Sequence, residues 1–213
     1  IQGFSQAIMD GTAQSPQALQ QSAGVIYTEA GRMHRLVMDL LVLARLDAGT
    51  ADLQRMRVDL AWVLKSVLDK FSLQAQNAQI TLTGQLGDLP TLIGDGDRLA
   101  QVFTNLVDNA LKYTEEGKRI RISVTTDTKT ITLVVFNESS PIKKADLKNM
   151  FDRFYRLDQG ADIGGSGVGL SICRDIAAVH GGTIEAYNCP GGVCFDIRLP
   201  IRKASNHPIG EVA

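Results

Sequence analysis

The chain has 213 residues and a formal net charge of −1 at pH 7, with 44% hydrophobic and 21% charged residues. This balance is ordinary for a globular protein that buries a sizeable core. Because the charge is near neutral, no basic field favours nucleic acid or an anionic membrane surface as a partner. No apolar run approaches the roughly 20 residues that a membrane span needs. We therefore expect a cytoplasmic chain that reaches a membrane only through further parts of a longer protein.

The three cysteines, Cys173, Cys189 and Cys194, are odd in number and lack C-x-x-C spacing. This pattern fits neither a disulfide framework nor a zinc site. It favours a compartment in which cysteine side chains stay reduced.

The N-terminal quarter of the chain favours helix and shows almost no strand signal. A short first helix is predicted to end near Gly11, because glycine is common just after a helix C-terminus. Ser15 is the predicted N-cap of a second helix, and Pro16 stands in its first turn, where a missing N–H is tolerated. This helix is predicted to end at residues 47–49.

The second predicted helix carries an apolar seam whose residues recur alternately four and three positions apart. Such spacing predicts the a and d positions of a helix that packs against other helices. Leu36, Leu41 and Leu43 widen the stripe, which favours a dimeric four-helix bundle made from two hairpins. The alternative is one long helix packed on its own domain. The seam consists of Leu19, Ala23, Ile26, Ala30, Met33, Val37, Leu40 and Ala44.

From about residue 58 the pattern changes to helices and strands in irregular alternation. This order favours helices on one face of a mixed, mostly antiparallel sheet over a doubly wound parallel sheet. The predicted fold class is α+β: a helical hairpin over residues 1–52, an α/β sandwich over 53–203 and a loose tail over 204–213. Helices are predicted over 60–71, from 95 to 113 and over 170–180, and strands over 80–83, 120–126, 130–136, 183–187 and 193–199.

The predicted helix after Asp95 presents a polar ridge. Asn105, Asn109 and Lys112 stand at i, i+4 and i+7, so two amides and an ammonium share one face. Asparagine is a poor residue for a helix interior, and two of them one turn apart suggest a function. An amide oxygen is a hard, neutral ligand suited to Mg²⁺, and the lysine suits a phosphate. The alternative, a solvated helix face, explains the pattern equally well.

The sequence GGSGVGL at residues 164–170 opens directly into a predicted helix. Glycines allow the backbone to approach a polyphosphate, and a helix N-terminus offers unpaired N–H groups. The segment is neither a Walker loop nor a Rossmann turn, because it lacks Gly-Lys-Ser/Thr and does not follow a buried strand. It favours a glycine-hinged lid over a nucleotide, with an ordinary flexible loop as the alternative.

Two arginines stand among three aromatic residues in the sequence FDRFYR at residues 151–156. This is either the end of an amphipathic helix or a pair of phosphate-binding guanidinium groups on an aromatic anchor.

In content and in order, these segments resemble the conserved boxes of sensor histidine kinases. Residues 98–113 resemble the asparagine box, 151–156 the phenylalanine box and 165–170 the glycine box of the lid. Residues 29–49 are similar to the second helix of the dimerisation hairpin, and 1–5 to the later part of the first. The resemblance covers almost the whole chain up to Pro200.

The resemblance implies a role for individual residues of this sequence. Asn109 ligates Mg²⁺ with Asn105 nearby, and Tyr113 lines the nucleotide pocket. Lys112, Arg153 and Arg156 are the catalytic candidates, which contact phosphates. The implied lid hinge and phosphate cradle consist of Gly165, Gly167 and Gly169, and the expected nucleotide-binding residues also include Val168 and Leu170.

None of the three histidines matches the family's phosphoacceptor, which the resemblance places upstream of Ile1 on the first hairpin helix. His34 lacks its acidic and proline context, His180 matches a structural position at a helix end, and His207 lies in the tail. We therefore expect a chain that binds ATP but lacks its own phosphate acceptor.

The family usually has D-x-G-x-G where the adenine amino group is recognised, and the aligned sequence here is NESSPI at 137–142. Asn137 still accepts a hydrogen bond, but a neutral acceptor binds less strongly than a carboxylate. Ser139 and Pro141 replace both glycines and stiffen the turn that leads to Ile142. Asn137 and Ile142 are the expected adenine-side residues, with reduced ATP affinity or relaxed base selectivity.

The resemblance implies an ATP-dependent protein-histidine kinase that uses Mg²⁺. Its partners would be a second copy, bound through the hairpin, and the receiver domain of a response regulator. Two alternatives remain: another ATPase of the gyrase-like, chaperone-like or mismatch-repair-like kind, and a degenerate domain that serves as a dimerisation and docking scaffold.

Overall fold

The computed structural model describes residues 1–48, 53–157 and 166–201. Two N-terminal helices are followed by a domain of helices and strands. No helix in the described ranges is both long and apolar enough to cross a bilayer. The elements are α1 (Gln2–Met9), α2 (Pro16–Asp47), β1 (Met56–Val58), α3 (Leu60–Asn77), β2 (Thr81–Gln85), β3 (Leu92–Gly94), α4 (Gly96–Tyr113), β4 (Arg119–Thr126), β5 (Thr130–Glu138), α5 (Lys144–Asn149), α6 (Gly169–Val179), β6 (Thr183–Cys189) and β7 (Gly192–Pro200).

The start of α2 confirms the predicted helix signals. The Ser15 hydroxyl accepts a hydrogen bond from the Ala18 backbone N–H at 3.0 Å, and Pro16 occupies the first turn. Gly11 follows α1 with φ +73°, a left-handed conformation that glycine adopts without strain. The two helices are therefore joined by a short, capped turn.

Five strands form the main sheet in the order β2-β4-β5-β7-β6. Strand β2 pairs with β4 in parallel, and the other three pairings are antiparallel. In β5 every second residue is buried, as expected when helices cover only one face of a sheet. The predicted α+β fold with a mixed, mostly antiparallel sheet is thus confirmed.

The core lies between this sheet and helices α3, α4 and α6. Leu64, Leu106, Ile120, Ile131 and Ile172 have no solvent exposure. On α6 the thiol of Cys173 donates to the Val102 carbonyl of α4 at 3.6 Å, and burial raises the pKa of this thiol to about 12. Helices α4 and α6 therefore form one tightly packed layer.

The C-terminal end of α2 packs on the helix-and-strand domain of the same chain. Val42 and Leu43 are buried in its core, and Leu36 packs against it. Part of the wide apolar stripe is thus explained by the alternative prediction, a helix packed on its own domain. Other seam residues, such as Met33 and Val37, are more than half exposed.

Short elements were not predicted from the sequence. Strands β1 and β3 have three residues each and form a separate two-stranded ribbon, and α5 has six residues. On α3, Trp62 is 67% exposed, whereas Val63 and Val67 lie on the buried face of the helix.

Candidate functional site

The start of α4 is fixed by its capping residue, Asp95. Its carboxylate accepts hydrogen bonds from the backbone N–H groups of Arg98 at 3.1 Å and Gln54 at 3.2 Å. Its own N–H donates to His180 Nε2 at 3.0 Å, and His180 Nδ1 donates to the Ile176 carbonyl at 2.8 Å. The end of α6 is therefore tied to the start of α4. His180 has the structural position expected from the sequence.

The position of the His180 imidazole also explains why residue 94 is a glycine. A Cβ atom on Gly94 would lie 2.9 Å from His180 Cδ2, too close for any other residue to be accommodated without a shift. The orientation of α4, and of the polar residues on it, thus depends on this close contact.

The polar ridge of α4 faces the N-terminus of α6. Asn105 Nδ2 donates to the Gly169 carbonyl at 3.3 Å. Asn109 lies one turn further along and is half-buried, and within the described ranges its amide has no hydrogen-bond partner. Lys112 is exposed and pairs with Asp108 of the preceding turn. Tyr113, half-buried, is the last residue of the helix.

The N-terminus of α6 is formed by the glycine segment, residues 166–170. Val168 is the N-cap residue, fully buried, and its carbonyl accepts a hydrogen bond from the Ser171 hydroxyl at 2.8 Å. The Ser166 hydroxyl accepts from the Val168 backbone N–H at 3.4 Å. Leu170 packs against the core and anchors the first turn. Gly165 lies outside the described residues.

A backbone contact joins the glycine segment to the arginine segment, which is residues 151–156. The Phe154 N–H donates to the Gly167 carbonyl at 2.8 Å. Both residues are left-handed, with φ +65° at Phe154 and +70° at Gly167. A Cβ on Gly167 would lie 2.9 Å from the Phe154 carbonyl carbon. Only glycine fits here, so the two segments implied to contact phosphates are held together.

Arg153 contacts α2. Its guanidinium donates to both carboxylate oxygens of Asp47, at 2.7 and 2.6 Å, and to Asp175 of α6 at 3.3 Å. The hydrogen bonds with Asp47 raise the pKa of Arg153, and the same bonds lower the pKa of Asp47. Arg156 is exposed on the same segment. In this conformation Arg153 therefore fastens the hairpin helix to the domain.

Asp39 of α2 forms a second link to the glycine segment. Its carboxylate accepts from the Ser166 hydroxyl at a long 3.5 Å. Burial raises the pKa of Asp39, while Ser166 and the positive charges of Arg35 and Lys112 act in the opposite direction. Helix α2, the glycine segment and the end of α4 thus meet around one half-buried carboxylate.

The predicted adenine side lies at the end of β5. Asn137 is only 4% exposed, and its amide nitrogen donates to the Ser139 hydroxyl at 3.1 Å. No described residue donates to its amide oxygen. The backbone of Ile142 is held on both sides by the Asn188 side chain, which accepts from its N–H at 2.9 Å and donates to its carbonyl at 2.7 Å. The turn between them is therefore pinned to β6.

The family model of histidine kinase-, DNA gyrase B- and HSP90-like ATPases matches residues 94–203. The chain belongs to this ATPase family. The match begins just before Asp95 and includes the polar ridge of α4, the arginine segment and the glycine segment. The predicted resemblance to sensor histidine kinases, with this ATP-binding domain, is confirmed.

Similar proteins include sensor protein SrrB of Staphylococcus aureus (strain N315), 34% identical over 203 residues, which are 94% of this chain and 35% of that protein. The chain thus spans about a third of the curated relatives it matches. Among solved structures, the catalytic domain of histidine kinase ThkA has a TM-score of 0.64 at 28% identity, covering 70% of this chain and 96% of that domain.

Two further solved structures are complexes. Full-length ShkA bound to AMPPNP has a TM-score of 0.76 at 25% identity and covers 90% of this chain and 40% of ShkA. ThkA in complex with response regulator TrrA has a TM-score of 0.74 at 24% identity, covering 93% of this chain and 57% of that chain. At 24% identity the ThkA complex is evidence for the fold alone.

Sequence reasoning missed several residues that shape the site of this ATPase domain. Asp39, Asp47 and Asn188 act on it from elements distant in the chain, and no local pattern marks them. Ser139 was read as a replaced glycine, yet its hydroxyl orients Asn137. The one sequence signal for this hydrogen bond is that Ser139 stands two residues after Asn137, a spacing at which polar side chains bond locally.

Proposed function

We propose that the chain is the ATP-binding kinase core of a sensor histidine kinase. It transfers the γ-phosphoryl group of ATP to a histidine on a bundle helix, from which the group passes to an aspartate of a response regulator. The observation that carries the proposal is the hydrogen bond from Asn105 to Gly169, which holds the polar ridge of α4 against the N-terminus of α6.

The residues on this ridge suit a magnesium ion that arrives with ATP. The Asn109 amide is half-buried and has no partner among the described residues, so its oxygen is available as a ligand. Asn105 donates through its nitrogen, which keeps its amide oxygen for the ion or its waters. When bound, Mg²⁺ neutralises charge on the phosphates.

The chain's own groups supply the rest of the phosphate site. The N-terminus of α6 offers backbone N–H groups and the positive end of a helix dipole, and Gly167 and Gly169 allow close approach. Lys112 and Arg156 are exposed cations on the α4 and arginine segments, and Arg153 joins them once Asp47 releases it. Phosphoryl transfer depends mainly on such positioning and charge neutralisation.

The adenine base is placed against Asn137, Ile142 and Tyr113. The amide oxygen of Asn137 accepts a hydrogen bond from the adenine amino group. Its nitrogen cannot take this position, because it is bound to Ser139. The pinned backbone at Ile142 forms the edge of the base pocket.

Two partners are part of the proposal. The exposed seam on α2, including Met33 and Val37, suits a second copy of the hairpin in a four-helix bundle. A response-regulator receiver domain is the second, by analogy with ThkA, which was solved with TrrA. We place the domain in the cytoplasm, as part of a membrane-anchored sensor.

Calorimetry with a non-hydrolysable ATP analogue and Mg²⁺ tests this function. We expect binding in the micromolar to millimolar range, and phosphate transfer from labelled ATP to a separately supplied hairpin that carries the family's histidine. Absence of binding at millimolar nucleotide would refute the proposal.

The altered turn at Asn137 favours a second candidate, a domain that no longer uses ATP and serves as a scaffold. Replacing Asn137 by aspartate distinguishes the two, because a carboxylate acceptor binds an amino group roughly twice as strongly as a neutral one. For a kinase we expect ATP-analogue affinity to rise about tenfold. Affinity for inosine triphosphate, which lacks the amino group, should not rise. No nucleotide binding by either form would favour the scaffold.

The contact between Arg153 and Asp47 gives a further prediction. Replacing Asp47 by asparagine should raise ATP-analogue affinity about threefold, because an exposed ion pair holds its arginine only weakly. The gain in affinity should shrink as salt is added, because salt already screens the ion pair between Arg153 and Asp47 in the parent chain. Titration calorimetry at two salt concentrations measures both effects.

The matched control for this variant is Glu29→Gln, which removes another exposed ion pair of α2, with Arg32. Its affinity should equal that of the parent chain. If Asp47→Asn instead lowered nucleotide affinity, Arg153 would need Asp47 for its orientation, and its assignment as a phosphate ligand released from α2 would be wrong.

A further inference from the structure

Two cysteines that the sequence left unpaired lie side by side in the β6–β7 hairpin. Cys189 pairs with Gly192 across a turn made by Pro190 and Gly191, and Cys194 lies two residues further on the same face. Their sulfur atoms lie in contact, and both thiols are free. A disulfide bond needs an S–S distance of about 2.05 Å, and the strand register already brings the two sulfurs together for it.

One of these thiols is accessible and the other is not. Cys189 is half-exposed, whereas Cys194 is 7% exposed, and burial raises the pKa of the Cys194 thiol. Both line a cleft of about 610 Å³ on the face of the sheet opposite the helices, together with Arg121 and Phe136. The guanidinium of Arg121 lies over the Phe136 ring at 5.3 Å. A small anionic molecule can therefore reach Cys189 beside a positive charge.

We propose that Cys189 and Cys194 form a reversible disulfide by exchange with a small anionic disulfide such as oxidised glutathione. The Cys189 thiolate attacks one glutathione sulfur, which forms a mixed disulfide and releases one glutathione thiolate. Cys194 then loses its proton to solvent and attacks the Cys189 sulfur, which releases the second glutathione. Two protein thiols lose two electrons, and one glutathione disulfide gains them.

The hairpin that carries this pair also supports the adenine-side turn. Asn188, next to Cys189, holds both backbone groups of Ile142, and Val193, next to Cys194, pairs with Asn137 in the sheet. A cross-link fixes the end of the hairpin between these residues. This coupling rests on the proposed nucleotide function. We expect the oxidised chain to bind an ATP analogue about threefold more tightly, because less of the pocket must be ordered on binding.

Incubation of the reduced chain with oxidised glutathione, followed by intact-mass measurement, tests the disulfide without any nucleotide. We expect the loss of two hydrogen atoms, no retained glutathione, and a Cys189–Cys194 link in the peptide map. Dithiothreitol should reverse the change. A retained glutathione on the parent chain, or two unreacted thiols, would overturn the proposal.

Variants in which one cysteine is replaced by serine show the order in which the two thiols react. Cys194→Ser should keep one glutathione on Cys189, since the resolving thiol is gone, and Cys189→Ser should stay unmodified. Cys173→Ser, the buried thiol of α6, should behave as the parent chain does. A glutathione on Cys194 in the Cys189→Ser chain would overturn the assignment of Cys189 as the attacking thiol.

Calorimetry of the reduced and oxidised chains then tests the coupling to the pocket. The threefold gain should be absent in both Cys189→Ser and Cys194→Ser. If the disulfide forms and affinity is unchanged, the coupling through Ile142 is wrong, while failure of the reduced chain to bind nucleotide would count against the kinase function alone.

Discussion

Replacing Asn109 by alanine is expected to abolish magnesium-dependent binding of an ATP analogue. Its amide is half-buried on the face of α4 that meets α6, and among the described residues it has no partner, so in the proposed function we assign it to the magnesium ion. Loss of a magnesium ligand should lower affinity at least about 100-fold, or about 2.8 kcal/mol. Calorimetry with and without Mg²⁺ measures the loss, which should be largest with the metal present.

Asn77→Ala is the matched control for this change. Asn77 is an exposed asparagine at the end of α3, so the control removes the same side chain from a helix surface far from the ridge. Its nucleotide affinity should equal that of the parent chain. The melting temperature of Asn109→Ala should not fall, because asparagine is a poorer helix former than alanine. Unaltered affinity in Asn109→Ala would remove the magnesium assignment.

The fold was predictable where a signal repeats along one element. Helix α4 has seven buried apolar residues at helical spacing, and a cap residue, Asp95, at its start. Strand β5 alternates over nine residues, so its buried face was readable from the sequence. The three-residue strands β1 and β3 and the six-residue helix α5, which the sequence did not predict, span too few periods to produce a periodic signal.

The site was predictable only in part, for a different reason. The residues of α4 and of the glycine segment are marked by their own local sequence, whereas their partners are not. Arg153 and Asp47 are separated by 106 residues, and Ser166 and Asp39 by 127. Contacts of this kind depend on how α2 packs, and packing leaves no pattern in either segment. The same applies to Cys189 and Cys194, whose approach follows from strand register.

Replacing Gly167 by alanine is expected to destabilise the chain by about 3 kcal/mol. A left-handed φ costs a non-glycine residue roughly 1–2 kcal/mol, and crowding in a packed site adds about 1–3 kcal/mol. The crowding arises because the new Cβ would meet backbone atoms of Phe154 and Tyr155, which cannot rotate away as a side chain does. At this chain length the melting temperature should fall by about 8 °C, which thermal unfolding measures.

Gly117→Ala separates the two causes. Gly117 has a similar φ of +78°, but a Cβ there would meet nothing within 4 Å. Its melting temperature should fall by only about 3 °C, the share owed to the backbone conformation. In addition, Gly167→Ala should weaken ATP-analogue binding, because the Phe154 N–H no longer reaches the residue-167 carbonyl and the arginine segment is freed from the glycine segment. Equal melting temperatures for the two variants would show that the contact with Phe154 does not hold these segments together.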